Sequence, residues 1–409
     1  MEPPLSDSPT SPPPPVDRWL WALARFLGFW LKLLIRQRSR FVAPLPKEGA
    51  VTLLGNHAAT IDPIVMALGV DRPVQFMASE QLFRNPRIGG LVRRLGAFPK
   101  AKFARDPQSI ETMMALNAEG RVVGLFPEGN RSWDGRPEAV QPGLGWLLRK
   151  VQGPVVFVKN TTGFLVQPRW AKTPRLIAME LEYSEPVVFP EDWSTSRIEQ
   201  EVAQRLSIDP SAVSPSGFTW GWKLAHGLHT YLWACPSCYA LDALGVDPKD
   251  GDVARCGACG ASWRVDVMQR LHPIGDAPAL TVASAHDRLV AHFGELPTVD
   301  ADRFVTDGVA LEEREMAVYR VTDAGLTLLA KGPGRLVADA VSVGDGDDAW
   351  RLALDDIKAI SMEMGEVLQL RTTNDLFELH PRDGAPMKWF HFLRGHQGKP
   401  RPGRRGRKR

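Results

Sequence analysis

The sequence predicts an α/β fold with a mostly parallel sheet, followed by a small four-cysteine module and a β-rich region. Three observations predict it. Between about residues 41 and 200, short apolar runs alternate with longer mixed ones, the pattern of strands joined by helical crossovers. All four cysteines fall in one short segment, Cys235 to Cys259. From about 303 to 396, short runs alternate with period two and are separated by glycine or Asp/Asn turns, as antiparallel strands require. With 409 residues, the chain has room for two or three domains, each with its own core.

Residues 1–16 are rich in proline and serine and are expected to be disordered or extended. They carry no basic n-region, so no secretory signal is expected. Residues 17–40 read as an amphipathic helix. Arg18, Arg25, Lys32 and Arg36 fall on one narrow stripe, while Trp19, Trp21, Leu27, Trp30, Leu31, Leu33 and Leu34 cover much of the rest. The stretch is short for a bilayer span, and Arg25 and Lys32 interrupt it. A helix lying in the membrane interface fits, with docking on the following domain as the alternative.

Charge is unevenly spread. Net charge is +3, but six basic residues lie between Arg18 and Arg40 and seven between Lys399 and Arg409. That leaves 37 basic against 47 acidic residues elsewhere, so the ends are basic and the body acidic. Such ends suit an anionic membrane or nucleic acid.

Residues 41–214 are assigned to the α/β domain. Its expected strands are Val51–Leu54, Val74–Ala78, Val122–Phe126, Val155–Val158 and Leu176–Glu182; expected helices are Pro63–Leu68, Glu80–Leu95, Gln108–Asn117, Leu144–Val151 and Arg197–Leu206. Residues 215–234 form an aromatic linker that either packs on the domain or touches the bilayer. Residues 235–265 hold the cysteines, and 266–302 are a helical linker with a helix near Ala285–Phe293. Residues 303–396 are β-rich, with strands Ala317–Val321, Leu326–Ala330, Arg335–Val341, Trp350–Leu354, Val367–Arg371 and Leu376–Leu379 and a closing helix Pro386–Arg394. Antiparallel strands closed by a C-terminal helix suggest a small barrel or sandwich, and resemble a pleckstrin-homology-like domain. Residues 397–409 are a basic tail.

Two stretches carry chemistry. In VTLLGNHAATIDP, a buried strand ends at Gly55-Asn56, and His57 follows with Asp62 five residues later. Ligands gather where parallel strands end, so His57 is a candidate base. Asp62 precedes Pro63, which pushes it out of the helical region, so a helix starts at Pro63 and residues 57–62 fold as a turn. Asp62 is a candidate either to pair with His57 or to cap that helix. In VVGLFPEGNRSWD, a second strand runs into Glu128, Gly129 and Arg131. Gly129 permits a tight turn and a close backbone approach to a ligand, and Arg131 offers a planar fork for phosphate. Glu128 is a candidate to accept from a substrate hydroxyl or to position Arg131.

These residues in this order resemble the glycerolipid acyltransferase family, whose best-known members are 1-acyl-sn-glycerol-3-phosphate acyltransferases. Asn56, His57 and Asp62 match the family's Asn-His-X4-Asp motif. Phe126 to Ser132 match its Phe-Pro-Glu-Gly-Thr-Arg-Ser motif, with Asn130 in place of threonine. Gly96 to Lys102 correspond to the family's second motif, a glycine followed six residues later by arginine, with lysine in place of the arginine, and Arg105 close by is a further candidate for that charge. Pro154–Val158 loosely match a fourth, apolar motif. The likeness covers about residues 35–190, under half of the chain. It implies that His57 is a general base oriented by Asp62, and that Lys102, Arg105, Glu128, Gly129 and Arg131 bind a phosphate-bearing acceptor. The acyl donor it implies is acyl-CoA or acyl carrier protein.

The cysteines form two Cys-X2-Cys knuckles 17 residues apart, Cys235/Cys238 and Cys256/Cys259. This is a zinc-ribbon spacing with four thiolates and no open position, so a structural zinc is expected. Between Cys235 and Cys259, Lys249 and Arg255 face Asp242, Asp247, Asp250 and Asp252, so the module is not basic enough to favour nucleic acid. The expected function is acylation of 1-acyl-sn-glycerol 3-phosphate to phosphatidate, on the cytoplasmic face of a membrane, by a peripheral or monotopic enzyme. Its expected partners are the lipid surface, the lyso-phospholipid, the acyl donor and a protein docking on the ribbon or β-rich region. The alternatives are another lyso-lipid or alcohol acceptor and a zinc-ribbon nucleic-acid or lipid-binding module with an inactive acyltransferase domain.

Overall fold

The computed structural model describes residues 16–85, 87–100, 106–151, 153–294, 309–322, 325–337, 339–346, 348–363, 367–382 and 384–397. The Pro-rich start, Lys102, Arg105, most of the basic tail and the end of the helical linker lie outside the described residues. The chain divides into two compact units: Met1–Arg169 with Pro174–Gly221, and Trp170–Thr173 with Trp222–Arg409.

The first unit is a seven-stranded sheet. Its strands are β1 (Arg38–Phe41), β2 (Val51–Gly55), β3 (Val74–Ser79), β4 (Phe98–Lys100), β5 (Val122–Leu125), β6 (Val155–Asn160) and β7 (Glu180–Tyr183), in the order β1-β7-β6-β2-β5-β3-β4. Strands β6, β2, β5, β3 and β4 run parallel. β7 is antiparallel to β6, and β1 is parallel to β7. β2 and β5 are buried along their whole length, as central parallel strands covered on both faces must be. Leu54, Val123, Leu125, Val155 and Phe157 share one core with Met113, Leu116, Leu144, Leu148, Ile198 and Val202 from the helices Pro107–Ala118, Leu144–Lys150 and Thr195–Leu206. The alternate residues Val51, Leu53, Val156 and Val158 are buried too.

Several expected elements shift, each for a local reason. The first helix, α1, runs Arg18–Leu34 and not to residue 40. Asp17 caps it by accepting from the N–H groups of Trp19 and Leu20. Arg36 then takes a positive φ of 49°, and the chain turns into β1. That strand escaped the sequence reading because RSRF lacks an apolar pattern; it is a charged edge, with Arg40 paired to Glu182 on β7 at 2.7 Å. The helix expected over Glu80–Leu95 is two, Glu80–Arg84 and Gly89–Arg94, because Asn85 is extended before a proline. β4 was not foreseen, and β7 begins only at Glu180; Leu176 makes a lone bridge to Trp220.

The second unit holds the cysteine module and the β-rich region. The module is a five-stranded antiparallel sheet of β8 (Leu244–Asp247), β9 (Asp250–Cys256), β10 (Ser262–Val265), β11 (Arg270–Ile274) and β12 (Leu280–Thr281), in the order β12-β11-β10-β9-β8. Its last two strands occupy residues expected to belong to the helical linker, whose helix is Val282–Gly294. The β-rich region is one seven-stranded antiparallel sheet, including a strand Ala359–Glu363 that the sequence reading missed. Its first two strands, Val309–Thr322 and Gly325–Val337, are far longer than the apolar runs within them; charged residues such as Glu312, Glu313, Arg314 and Glu315 hid the rest. The closing helix is Pro386–Gln397. On it Lys388, 1% exposed, meets the carboxylates of Asp242 and, at 3.6 Å, Glu313.

Candidate active site

β2 and β5 pair in parallel with Leu54 opposite Leu125, so the loops that follow them leave the same edge of the sheet. One loop begins Gly55-Asn56-His57, and the other runs Phe126 to Ser132. They are tied together where Ser132 N–H donates to the His57 carbonyl at 2.8 Å. The His57 ring stacks on Phe126, centroids 4.2 Å apart, and Phe126 lies over Phe76. Gly55 leaves room for Met66 and Phe126 at the start of this loop: a Cβ there would come within 2.5 Å of the Met66 sulfur and 3.1 Å of the Phe126 ring.

His57 Nδ1 lies 2.9 Å from Asp62 Oδ2. The same oxygen accepts the backbone N–H groups of Ala58 at 2.6 Å and Ala59 at 2.8 Å. Asp62 is fully buried and is the first residue of the helix Asp62–Leu68. The backbone and amide donors to its carboxylate, Ala58, Ala59 and Asn160, all lie outside that helix, which begins one residue before the expected Pro63, so Asp62 serves the loop and does not cap the helix. With Nδ1–H donated to this carboxylate, Nε2 is the nitrogen left to act as a base, and the His57 side chain is 20% exposed to reach a substrate.

The other oxygen of Asp62 has a partner the sequence reading missed. Asn160 Nδ2, at the end of β6, donates to Asp62 Oδ1 at 2.7 Å. Asn160 in turn exchanges two bonds with Asn56: its N–H donates to Asn56 Oδ1 at 2.7 Å, and its carbonyl accepts from Asn56 Nδ2 at 3.1 Å. The only signal in the sequence was a polar residue closing an apolar strand, VVFVKN.

On the second loop, Gly129 adopts φ +69°, the left-handed conformation that glycine permits at little cost. Glu128 is buried, and its Oε2 accepts the Glu138 N–H at 3.3 Å. Burial pushes the Glu128 carboxyl up to about 8, against the N–H donors of Glu138 and His57 that favour its charge. The structure therefore holds Glu128 between the two loops through backbone N–H groups of both. Burial lowers the Arg131 guanidinium, while the Asp62 charge favours its protonated form. Among the described residues no carboxylate lies within ion-pair distance of Arg131. Arg169, also unforeseen, donates to the Arg131 carbonyl at 2.8 Å and lies over the Trp133 ring. Lys102 and Arg105 lie outside the described residues, so only Arg131 of the expected cations is placed beside the dyad.

The cysteines form a second site. All four sulfurs lie within 4.8 Å of one another. Cys235–Cys259 and Cys238–Cys256 are each 3.8 Å apart, too far for a disulfide. A tetrahedron with zinc–sulfur bonds of about 2.3 Å has edges of about 3.8 Å. Backbone N–H groups of Ser237, Ala258 and Cys259 point at the Cys235 and Cys256 sulfurs, as suits thiolates. The four residues fit a structural zinc ion.

Comparison with known proteins bears on the first unit. Residues 38–159 match the acyltransferase family model. A 1-acyl-sn-glycerol-3-phosphate acyltransferase of Bacillus subtilis is 32% identical over 94 residues, which are 23% of this chain and 47% of that protein. A protein of the same name from Borreliella burgdorferi is 27% identical over 127 residues, 30% of this chain and 51% of that protein. The chain thus spans about half the length of these curated relatives. The solved 1-acyl-sn-glycerophosphate acyltransferase PlsC of Thermotoga maritima aligns with a TM-score of 0.38 and 21% identity, over 45% of this chain and 76% of that one.

Proposed function

We propose, from the premise that residues 38–159 form an acyltransferase domain of the glycerolipid acyltransferase family, that the protein acylates the free hydroxyl of 1-acyl-sn-glycerol 3-phosphate to give phosphatidate. The observation that carries the reading is the buried Asp62 carboxylate bonded to His57 Nδ1, with the Arg131 guanidinium, which among the described residues is in no ion pair, on the adjoining loop. A hydroxyl is a weak nucleophile until it loses its proton. His57 Nε2 takes that proton, and Asp62 stabilises the imidazolium that results. The oxygen attacks the thioester carbonyl of acyl-CoA or acyl carrier protein; the carbon–oxygen bond forms, the carbon–sulfur bond breaks, and the leaving thiolate takes the hydroxyl's proton from His57. No acyl-enzyme is needed. Arg131 holds the phosphate and so fixes which hydroxyl reaches His57.

The setting of this reaction is a lipid surface. On α1, Leu20 and Gly28 face inward, and Arg25 bonds to the Val70 carbonyl and to Asp71. Trp19, Phe26, Leu27, Trp30, Leu33 and Leu34 are exposed on the outward side. The two alternatives for this helix therefore occupy different faces: one docks on the domain, and the other suits a membrane interface. Among the described residues no helix is long and apolar enough to cross a membrane. In the second unit, Cys235, Cys238, Cys256 and Cys259 would hold zinc, which would supply rigidity rather than catalysis.

The test is an acyl-transfer assay of the purified full chain, with both donor types and a panel of lyso-lipids. Preferred transfer to the glycerol 3-phosphate acceptor supports the reading. Transfer only to acceptors without a phosphate monoester contradicts it.

A further inference from the structure

We propose that Asn160 is a positioning residue for the His57–Asp62 pair, fixing the plane of the Asp62 carboxylate so that His57 keeps its proton on Nδ1. The proposal rests on the acyl-transfer reading for its catalytic consequence, but its geometry stands apart from that reading.

Asp62 is fully buried, and its two oxygens are unequally served. Oδ2 receives His57, Ala58 and Ala59, all within five residues in the chain. Oδ1 has, among the described residues, a single donor, Asn160 Nδ2 at 2.7 Å, 98 residues away. The local turn holds one oxygen only; a donor from another strand holds the second, so that both ends of the carboxylate plane are fixed. Asn160 is itself pinned. It is 1% exposed, its Oδ1 accepts the Gly163 N–H at 2.9 Å, and its backbone is bonded twice to the Asn56 amide. The bond from Gly163 also fixes the orientation of the Asn160 amide, so that Nδ2 and not Oδ1 faces Asp62. Space is reserved for this arrangement, since a Cβ on Gly163 would stand 2.5 Å from Asn160 Nδ2. The ends of β2 and β6 thus close a frame around one carboxylate, with His57 on its accessible side.

Other charged groups bear on the pair without replacing that bond. Glu128 and Arg131, from the loop after β5, interact with Asp62 only through space. An amide donor is neutral at every working pH, so Asn160 orients Asp62 without competing for the His57 proton. Loss of a donor to a buried carboxylate is expected to lower kcat by roughly ten- to a hundred-fold, with KM little changed.

The experiment follows the His57 imidazole by 15N NMR in histidine-labelled full-length protein, assigned with His57→Ala. Wild type is expected to hold the Nδ1–H tautomer. Asn160→Ala is expected to populate both tautomers. Asn160→Asp keeps the shape but removes the donor, so the two carboxylates titrate together and the His57 titration moves to higher pH or becomes two-stepped. A wild-type tautomer in Asn160→Ala together with a single-step wild-type titration in Asn160→Asp would overturn the proposal. If neither variant folds, the Asn160 side-chain amide protons in wild type decide it. Slow exchange with solvent and a shift that tracks the His57 titration support it; rapid exchange and no such shift refute it. Because these readouts need no substrate, failure of the acyl-transfer assay in wild type would count against the proposed function and not against this role.

Discussion

The two sites are both built from short motifs, yet they depend on the rest of the chain in different ways. The four-cysteine site is nearly complete within its two knuckles: the spacing of Cys235, Cys238, Cys256 and Cys259 sets the four sulfurs, and β9 and β10 carry the second knuckle as a simple hairpin. The His57–Asp62 pair is local in sequence too, but its second oxygen, its stacking partner and its loop tie come from Asn160, Phe126 and Ser132, on β6 and after β5. A metal can organise ligands on a small scaffold because its bonds are strong and geometrically demanding. A dyad of side chains has no such centre, so the sheet must do the positioning.

The largest effect expected from breaking this contrast is on the ribbon. Removing zinc with a strong chelator, or replacing Cys256 with serine, takes away a metal contribution that is on the order of 10 kcal/mol in small zinc modules. The ribbon strands should then lose amide protection in hydrogen exchange, while β2, β5 and β6 retain theirs. Loss of protection in both units at once would show that the zinc site is not a local device.

Smaller changes probe the sheet-built site. Arg131→Lys keeps the charge but removes the planar fork, so KM for the phosphate-bearing acceptor should rise roughly tenfold with kcat nearly unchanged. Steady-state kinetics check this, and an unchanged KM would remove Arg131 from the phosphate clamp. A separate effect concerns pH. Glu128 rises from about 4.5 in the unfolded chain to about 8 when buried, so between these values the folded protein holds a proton that the unfolded chain releases. Its contribution to stability is therefore complete below about pH 4.5 and is lost as pH rises toward 8. Thermal melts of Glu128→Gln should lose this fall in stability with pH, and an unaltered slope would contradict it.

What could be read from the sequence follows the same division. The four cysteines and the His57–Asp62 pair were legible because their chemistry is written at fixed short spacings. The buried strands β2 and β5 were legible as apolar runs. The charged edge strand β1, the brief β4 and the charged half of the Val309–Thr322 strand were not, since their pairing is decided by neighbours and not by their own pattern. Asn160 was invisible for a related reason: its importance lies in a contact across 98 residues, and nothing local distinguishes it from an ordinary strand-end asparagine. Glu128 illustrates the converse. Its position in a recognisable loop suggests a group that accepts from a substrate hydroxyl or positions Arg131; its burial and its bonds to backbone N–H groups could not be read from that motif.

The central claim is that one imidazole, oriented by one buried carboxylate, removes the proton from a lyso-lipid hydroxyl. The most direct test compares wild type with His57→Ala in acyl transfer to 1-acyl-sn-glycerol 3-phosphate, with melting temperature and zinc content measured on the same preparations. Turnover should fall by about 10²- to 10⁴-fold with both controls unchanged. A variant that keeps near wild-type turnover would contradict the account.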